Sequence, residues 1–154
     1  MVGLLLLGAA VMAVVLWLRA RAARRRWEAD FATALTQTRW LAVEIVPAMQ
    51  RAKVPAEQAG AWTVARPRVI ALETDIDALS TTASDEQSAE RVAALLAAVG
   101  GTRATADLQT GVCGPAQGPV FVDLFDARRQ LDDALALANP AVRGTGGRPA
   151  NGQS

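Results

Sequence analysis

Acidic side chains at helical spacing are the first residues of this chain that could do chemistry. Glu73 and Asp77 stand four residues apart, which places both side chains on one face of a helix. Paired carboxylates can bind a metal ion or exchange protons with a substrate, but both roles need further converging groups. The chain has no histidine, the commonest general base and transition-metal ligand. We therefore interpret this pair as a solvated acidic face. The same interpretation applies to Asp123 with Asp126 and Asp132 with Asp133, which have Arg128 and Arg129 as expected salt-bridge partners.

The single cysteine, Cys113, lies in residues 111–119, a segment rich in glycine and proline that we predict to be a loop. A nucleophilic cysteine needs an activating base or a lowered pKa, and no histidine can supply the base. One cysteine also cannot form an intramolecular disulfide or a thiolate zinc site. The glycines match no phosphate-binding pattern. The sequence therefore predicts a non-enzymatic protein without a metal or other cofactor.

The first eighteen residues are apolar without interruption. As a helix they would extend about 27 Å, close to the ~30 Å hydrocarbon core of a bilayer. We predict that residues 1–18 form a transmembrane helix, so that the protein is a single-pass membrane protein. A cleavable export signal is the alternative, although such a signal carries its basic residues before the apolar core, not after it.

Arginines follow the apolar segment directly: Arg19, Arg21, Arg24, Arg25 and Arg26. Positive residues beside a first membrane helix stay on the cytoplasmic side. This predicts location in the cell membrane, with an outside N-terminus and a cytoplasmic C-terminal domain. The basic segment 19–26 is favoured as a topology signal, and binding to anionic lipid headgroups is the alternative. The whole chain has a net charge of +1 and the five arginines contribute +5, so the rest carries −4. That balance argues against a nucleic-acid partner.

Tryptophans at both ends of the basic segment suit the membrane interface, where amphipathic rings are enriched. We predict that the residues at this interface are Trp17, Arg19, Arg21, Arg24, Arg25, Arg26 and Trp27.

Apolar residues recur at steps of three and four after the basic segment, which predicts a helical domain over residues 27–139. The first helix should break or kink at Pro47, because the residue before a proline resists helical geometry. Residues 47–60 are predicted to be a connection in which Pro55 can begin a short helix. The second helix is expected around residues 62–80, with Pro67 in its first turn or at a kink.

Ser84 and Gln87 have the spacing of a capping box, which predicts the start of a third helix. That helix either ends at Gly100 and Gly101 or continues to Leu108, and the longer form is favoured slightly.

A fourth helix is expected from Pro119 to Asn139, and the glycine-rich residues 140–154 should be a disordered tail. The predicted fold class is all-α: an N-terminal transmembrane helix followed by a small antiparallel bundle of three to four helices.

Two further tryptophans, Trp40 and Trp62, either fill the core or contact a partner. The leading functional hypothesis is an interaction or scaffold module, an accessory subunit of a membrane complex. It would bind the lipid bilayer and an unidentified protein partner or a second copy of itself. The alternative is a membrane-tethered domain that binds a lipid or another small ligand, exported if the N-terminus is a signal sequence.

Overall fold

The computed structural model describes residues 2–112 and 123–139, with residues 2–10 described by their backbone alone. These residues form helices and no strand, which confirms the predicted all-helical fold class. The elements are α1 (Val2–Trp40), a π-helical turn (Leu41–Ile45), α2 (Val46–Arg51), α3 (Pro55–Thr82), α4 (Glu86–Thr110) and α5 (Leu124–Ala138). Because α1, the π-helical turn and α2 follow one another without a break, the described residues form four helical segments.

Of the two forms predicted at Pro47, the break is wrong, because helical structure continues to Arg51, but the regular α-helix is interrupted by the π-helical turn just before the proline. Proline cannot donate a backbone hydrogen bond, and its ring clashes with the carbonyl four residues earlier in an α-helix. The π-helical turn lies directly before it, and there the Val46 N–H donates to the carbonyl of Leu41, five residues back. The wider turn accommodates the proline at the point where an α-helix would be strained.

α3 begins at Pro55, so the second helix predicted around residues 62–80 and the short helix predicted from Pro55 are one helix. Pro55 occupies its first turn, where a missing N–H costs nothing, so the helix start predicted at this residue is confirmed. The same helix continues through Gly60 and Pro67 to Thr82. Pro67 therefore lies in the helix interior, and its predicted place in a first turn is wrong.

The helix start predicted at Ser84 lies one residue later, and the capping box predicted there is replaced by a single capping side chain. Asp85 is the N-cap of α4, and its carboxylate accepts the backbone N–H of Ser88 at 2.8 Å. The longer of the two predicted forms of this helix is confirmed, since α4 runs through both interior glycines to Thr110. Gly111 then ends it in the left-handed conformation, with φ of 69°, which favours glycine.

α5 begins at Leu124. Asp123 is its N-cap and accepts the backbone N–H groups of Phe125 and Asp126. The predicted end at Asn139 is confirmed. Pro119 itself, Cys113 and the predicted tail over residues 140–154 lie outside the described residues.

The four helical segments pack so that α1 contacts α3 and α5, and α4 contacts the same two helices from the other side. Three-residue connections join α2 to α3 and α3 to α4, as expected for antiparallel neighbours. Alanine is the most frequent residue of the described core, around larger side chains such as Trp62, Met49 and Leu95. The second half of α4, residues 98–107, is buried on every face.

Within the part of the chain that the structure describes, no helix offers a stretch long and apolar enough to cross a membrane. The transmembrane helix predicted over residues 1–18 is therefore not confirmed. Ten of those residues, 1–10, lie outside the described side chains.

Candidate membrane interface

The N-terminal half of α1 projects beyond the bundle as a single helix. All residues from 11 to 26 are exposed, and the first residue that is partly covered by the bundle is Trp27. This exposed arm, residues 11–26, extends about 24 Å. Residues 11–18 are apolar on every face of the helix, and the arginines follow at once. We call residues 11–26 the arm.

The aromatic residues at the two ends of the basic segment have different environments. Trp17 is 58% exposed, and the guanidinium of Arg21 lies over its ring at 5.2 Å from the centroid. Trp27 is half-buried and donates its indole N–H to the carbonyl of Leu79 at 3.2 Å. It also stacks on Phe31, with ring centroids 5.0 Å apart. Trp27 thus packs as part of the bundle rather than as a free interfacial side chain.

The arginines of the arm differ in their contacts with acidic groups. Arg24 lies 3.5 Å from the carboxylate of Glu28 and lines a groove with Asp85 of α4. Among the described residues no carboxylate lies within 4.0 Å of the other four, Arg19, Arg21, Arg25 and Arg26. The arm is therefore a concentrated, largely unneutralised positive charge beside an apolar helix end.

A largely buried ionic cluster joins α3 to α4, in contrast to the exposed arginines of the arm. Asp107 accepts hydrogen bonds from the indole N–H of Trp62 at 2.7 Å and from Nε of Arg66 at 2.8 Å. Arg103 donates to both carboxylate oxygens of Glu73, at 2.7 and 2.9 Å, and its Nη1 lies 3.6 Å from Asp107. The hydrogen bond and the charge of Asp107 raise the pKa of Arg66.

The partners in this cluster correct one sequence interpretation. Glu73 is not part of a solvated acidic face, because its side chain is only 16% exposed and is paired with Arg103. Asp77, four residues later, is exposed as predicted. Two carboxylates and two guanidinium groups balance one another in the cluster. This arrangement fixes α3 against α4 and leaves no free group to act on a substrate.

The two tryptophans considered as partner contacts differ in their exposure to solvent. Trp62 is completely buried, which confirms its predicted place in the core and removes it as a surface for a partner. Trp40 is half-buried, with the guanidinium of Arg68 4.0 Å above its ring. Val43 and Val64, each about one helical turn from this contact, are 59% and 82% exposed. We call Trp40, Val43, Val64 and Arg68 the Trp40 surface.

The remaining acidic pairs follow the sequence interpretation. Arg129 donates to Asp126 at 2.7 Å, and Nε of Arg128 lies 4.0 Å from Asp132. Asp132 and Asp133 are exposed. No group of three potential metal-ligating side chains is present in the described ranges.

Two grooves lie along the described helices near the arm. One, of about 380 Å³, is bounded by α1, the start of α4 and the end of α5, with Trp27 and Arg24 among its lining residues. Another, of about 420 Å³, lies between Asp30 on α1 and Asp75 on α3. Both are open to solvent.

No protein-family model, no curated protein and no solved structure matches this chain. The function is therefore argued from the chemistry of its own residues.

Proposed function

We propose that this chain is a non-enzymatic, single-pass membrane-anchored protein whose helical bundle acts as an interaction or scaffold module. The observation that supports this proposal most directly is the arm. Residues 11–18 expose apolar side chains on every face of one helix, and a helix that is apolar all round is stable only when it is buried in protein or lipid. The apolar residues 1–10 precede it in the sequence.

The order of residues along α1 supports insertion across the bilayer. Apolar residues come first, Trp17 stands at the end of the apolar run, and the arginines follow. This is the order expected on leaving the hydrocarbon core through the aromatic belt into the headgroups. The same asymmetry supports a cytoplasmic bundle and an outside N-terminus in the cell membrane.

The continuity of α1 adds a mechanical consequence. Helical structure runs from Val2 through the arm to Trp40 without a linker, a length of about 58 Å. The bundle would therefore be held at a fixed distance and angle from the bilayer, instead of moving freely on a flexible tether. A fixed geometry suits a scaffold, because the binding surface is then presented at a defined height above the bilayer. Anchoring also raises the effective concentration of that surface for partners in the same membrane.

The Trp40 surface is the part of the bundle that we propose for a protein partner or a second copy. It combines an aromatic ring, a guanidinium and two exposed valines. Tryptophan and arginine are enriched among residues that dominate binding energy. The ligand-binding alternative receives less support, because both described grooves beside α1 are open to solvent and a buried ligand needs an enclosed site.

Alkaline carbonate extraction of membranes from cells that express the full chain tests the anchor. We expect the wild-type chain to remain in the membrane and the double variant Val11→Arg, Val14→Arg to be released, because arginine is costly within the hydrocarbon core. The matched control is Leu108→Arg with Phe125→Arg, which adds the same charge at exposed positions of the bundle outside the Trp40 surface. Release of the wild-type chain would overturn the proposal.

Orientation and partner contact can be tested at one exposed position. In a Cys113→Ser background, Val64→Cys should react with a membrane-impermeant maleimide only after the cells are permeabilised. A photo-crosslinker at residue 64 should trap a second copy or a protein partner in native membranes. The same crosslinker at Glu90, which is exposed on α4, should trap much less. Equal or absent adducts at both positions would contradict the interaction module.

A further inference from the structure

The arginines of the arm divide into two groups by their position around α1. Trp27, Phe31 and Thr38 are covered by the bundle and recur at helical spacing, so they define the face of α1 that points to the bundle. Arg24 precedes Trp27 by three residues and Phe31 by seven, which places it on that same face. The groove that it lines together with Asp85 and Arg91 agrees with this position, although its side chain is exposed and its ion pair is with Glu28 of the same helix.

The other four arginines fall on the remaining faces of the helix. At 100° per residue, Arg19, Arg21, Arg25 and Arg26 are each turned by about 100° or more from the centre of the bundle-facing stripe. All four are exposed and have no carboxylate within 4.0 Å among the described residues. They surround the part of the helix that the bundle leaves uncovered.

Their height along the helix suits phosphate groups at a membrane surface. If Leu18 marks the edge of the hydrocarbon core, Arg19 lies about 1.5 Å and Arg26 about 12 Å beyond it. Side chains on a helix tilt toward its N-terminus, so these arginines point back toward the bilayer. Guanidinium groups bind phosphate oxygens with paired hydrogen bonds.

We propose that Arg19, Arg21, Arg25 and Arg26 bind the phosphates of anionic phospholipids, whereas Arg24 lies on the face of the arm that is turned toward the bundle and does not contribute to this binding. This inference rests on the proposed membrane anchor and names its lipid partner. It also turns Arg24 into an internal control, because its substitution removes the same charge from the same segment.

The test uses the full chain reconstituted in vesicles of phosphatidylcholine with spin-labelled phosphatidylglycerol or spin-labelled phosphatidylcholine. Electron paramagnetic resonance measures the fraction of each labelled lipid that is immobilised beside the protein. One arginine near an anionic surface contributes up to about fivefold in association. We expect phosphatidylglycerol to be preferred over phosphatidylcholine by several-fold at low salt. The preference should fall at about 0.5 M salt, because the Debye length is then only a few ångströms and the salt screens the attraction between arginine and lipid.

Single variants decide between the two groups of arginines. Arg25→Gln and Arg26→Gln should each lower the preference, the fourfold variant with Gln at 19, 21, 25 and 26 should abolish it, and Arg24→Gln should retain it. Equal immobilisation of both lipids by the wild-type chain, or an equal loss in Arg24→Gln and Arg25→Gln, would overturn the inference. Failure of the anchor is distinguishable, because a chain that does not insert would immobilise neither lipid.

Discussion

The arm of α1 and the second half of α4 use the same residue type in opposite surroundings. Arg19 and Arg26 stand on a single exposed helix without a carboxylate partner among the described residues. Arg103 lies on a helix segment that is buried on every face, where it donates to both oxygens of Glu73. In this molecule an arginine side chain is therefore either exposed to solvent or, where it is buried, paired with a carboxylate.

This contrast teaches that the charge of a segment does not reveal its role until its partners are known. A buried ionic group is costly unless it is paired and hydrogen-bonded. Once it is paired, removal of one partner strands the other and costs far more than a surface change. The arm should accordingly tolerate substitution without unfolding, while the ionic cluster should not.

The largest expected effect is at Asp107, which accepts hydrogen bonds from Trp62 and Arg66 and lies 3.6 Å from Nη1 of Arg103. Asp107→Ala leaves these donors without their acceptor and should lower the free energy of unfolding by about 3–5 kcal/mol. Urea unfolding of the full chain in detergent micelles measures the change. Asp133→Ala, at an exposed position, is the control and should stay within about 0.5 kcal/mol of wild type. A loss below about 1 kcal/mol for Asp107→Ala would contradict the cluster.

Conservative replacement of arginine by lysine sharpens the comparison between the two regions. Arg103→Lys keeps the charge but loses the planar fork, whose Nε binds Glu73 while its Nη1 lies 3.6 Å from Asp107. A single ammonium cannot reproduce both contacts, so this variant should destabilise the fold by about 1–3 kcal/mol. Arg26→Lys on the arm should leave the unfolding midpoint unchanged, because no bundle contact depends on that side chain. Equal stability of the two variants would mean that the fork of Arg103 has no special role.

The two carboxylates that lie four residues apart on α3 give an effect of comparable size at Glu73 and a much smaller one at Asp77. Glu73→Gln should lower stability by about 1.5–3 kcal/mol, because a charged hydrogen bond to Arg103 is lost in a nearly buried place. Asp77→Asn, at an exposed position, should change it by less than about 0.5 kcal/mol. Identical unfolding curves for both variants would restore the interpretation of a uniform solvated face.

The smallest expected effect is the pH dependence of the α4 cap. The backbone N–H and the hydroxyl of Ser88 lower the pKa of Asp85 below its ordinary value of 3.8. Asp85 therefore adds stability at and above its ordinary pKa, and this stability is lost as the pH falls through the lower folded pKa. The difference in melting temperature between wild type and Asp85→Asn should shrink as the pH falls from about 5 to about 2, because aspartate carboxyl groups titrate in this range. A constant difference would contradict this assignment.

Local signals in the sequence predict much of this molecule, and long-range pairing accounts for what they miss. The helical class, the end of α5 at Asn139 and the helix start at Pro55 follow from periodicity and from residues at helix ends. The ionic cluster could not be predicted, because Glu73 and Arg103 are thirty residues apart and nothing local to either indicates the other. The continuation through Pro47 was missed because a π-helical turn depends on the packing around it.

At the candidate interface, too, some features are visible in the local sequence and others depend on long-range packing. The order of apolar residues, Trp17 and arginines is visible in the sequence, whereas the packing of Trp27 on Leu79 is not. The separate role of Arg24 had one local signal, its spacing from Trp27 and Phe31. That signal gains meaning only when the bundle-facing side of α1 is known.

Depth of the arm in a bilayer tests the central claim most directly. A spin label at Val14→Cys or Val64→Cys, in a Cys113→Ser background of the full chain reconstituted in vesicles, reports its collisions with oxygen and with a water-soluble nickel complex. We predict that the label at residue 14 collides mainly with oxygen, which concentrates in lipid, and the label at residue 64 mainly with the nickel complex. Equal access of the nickel complex to both labels would contradict the membrane anchor.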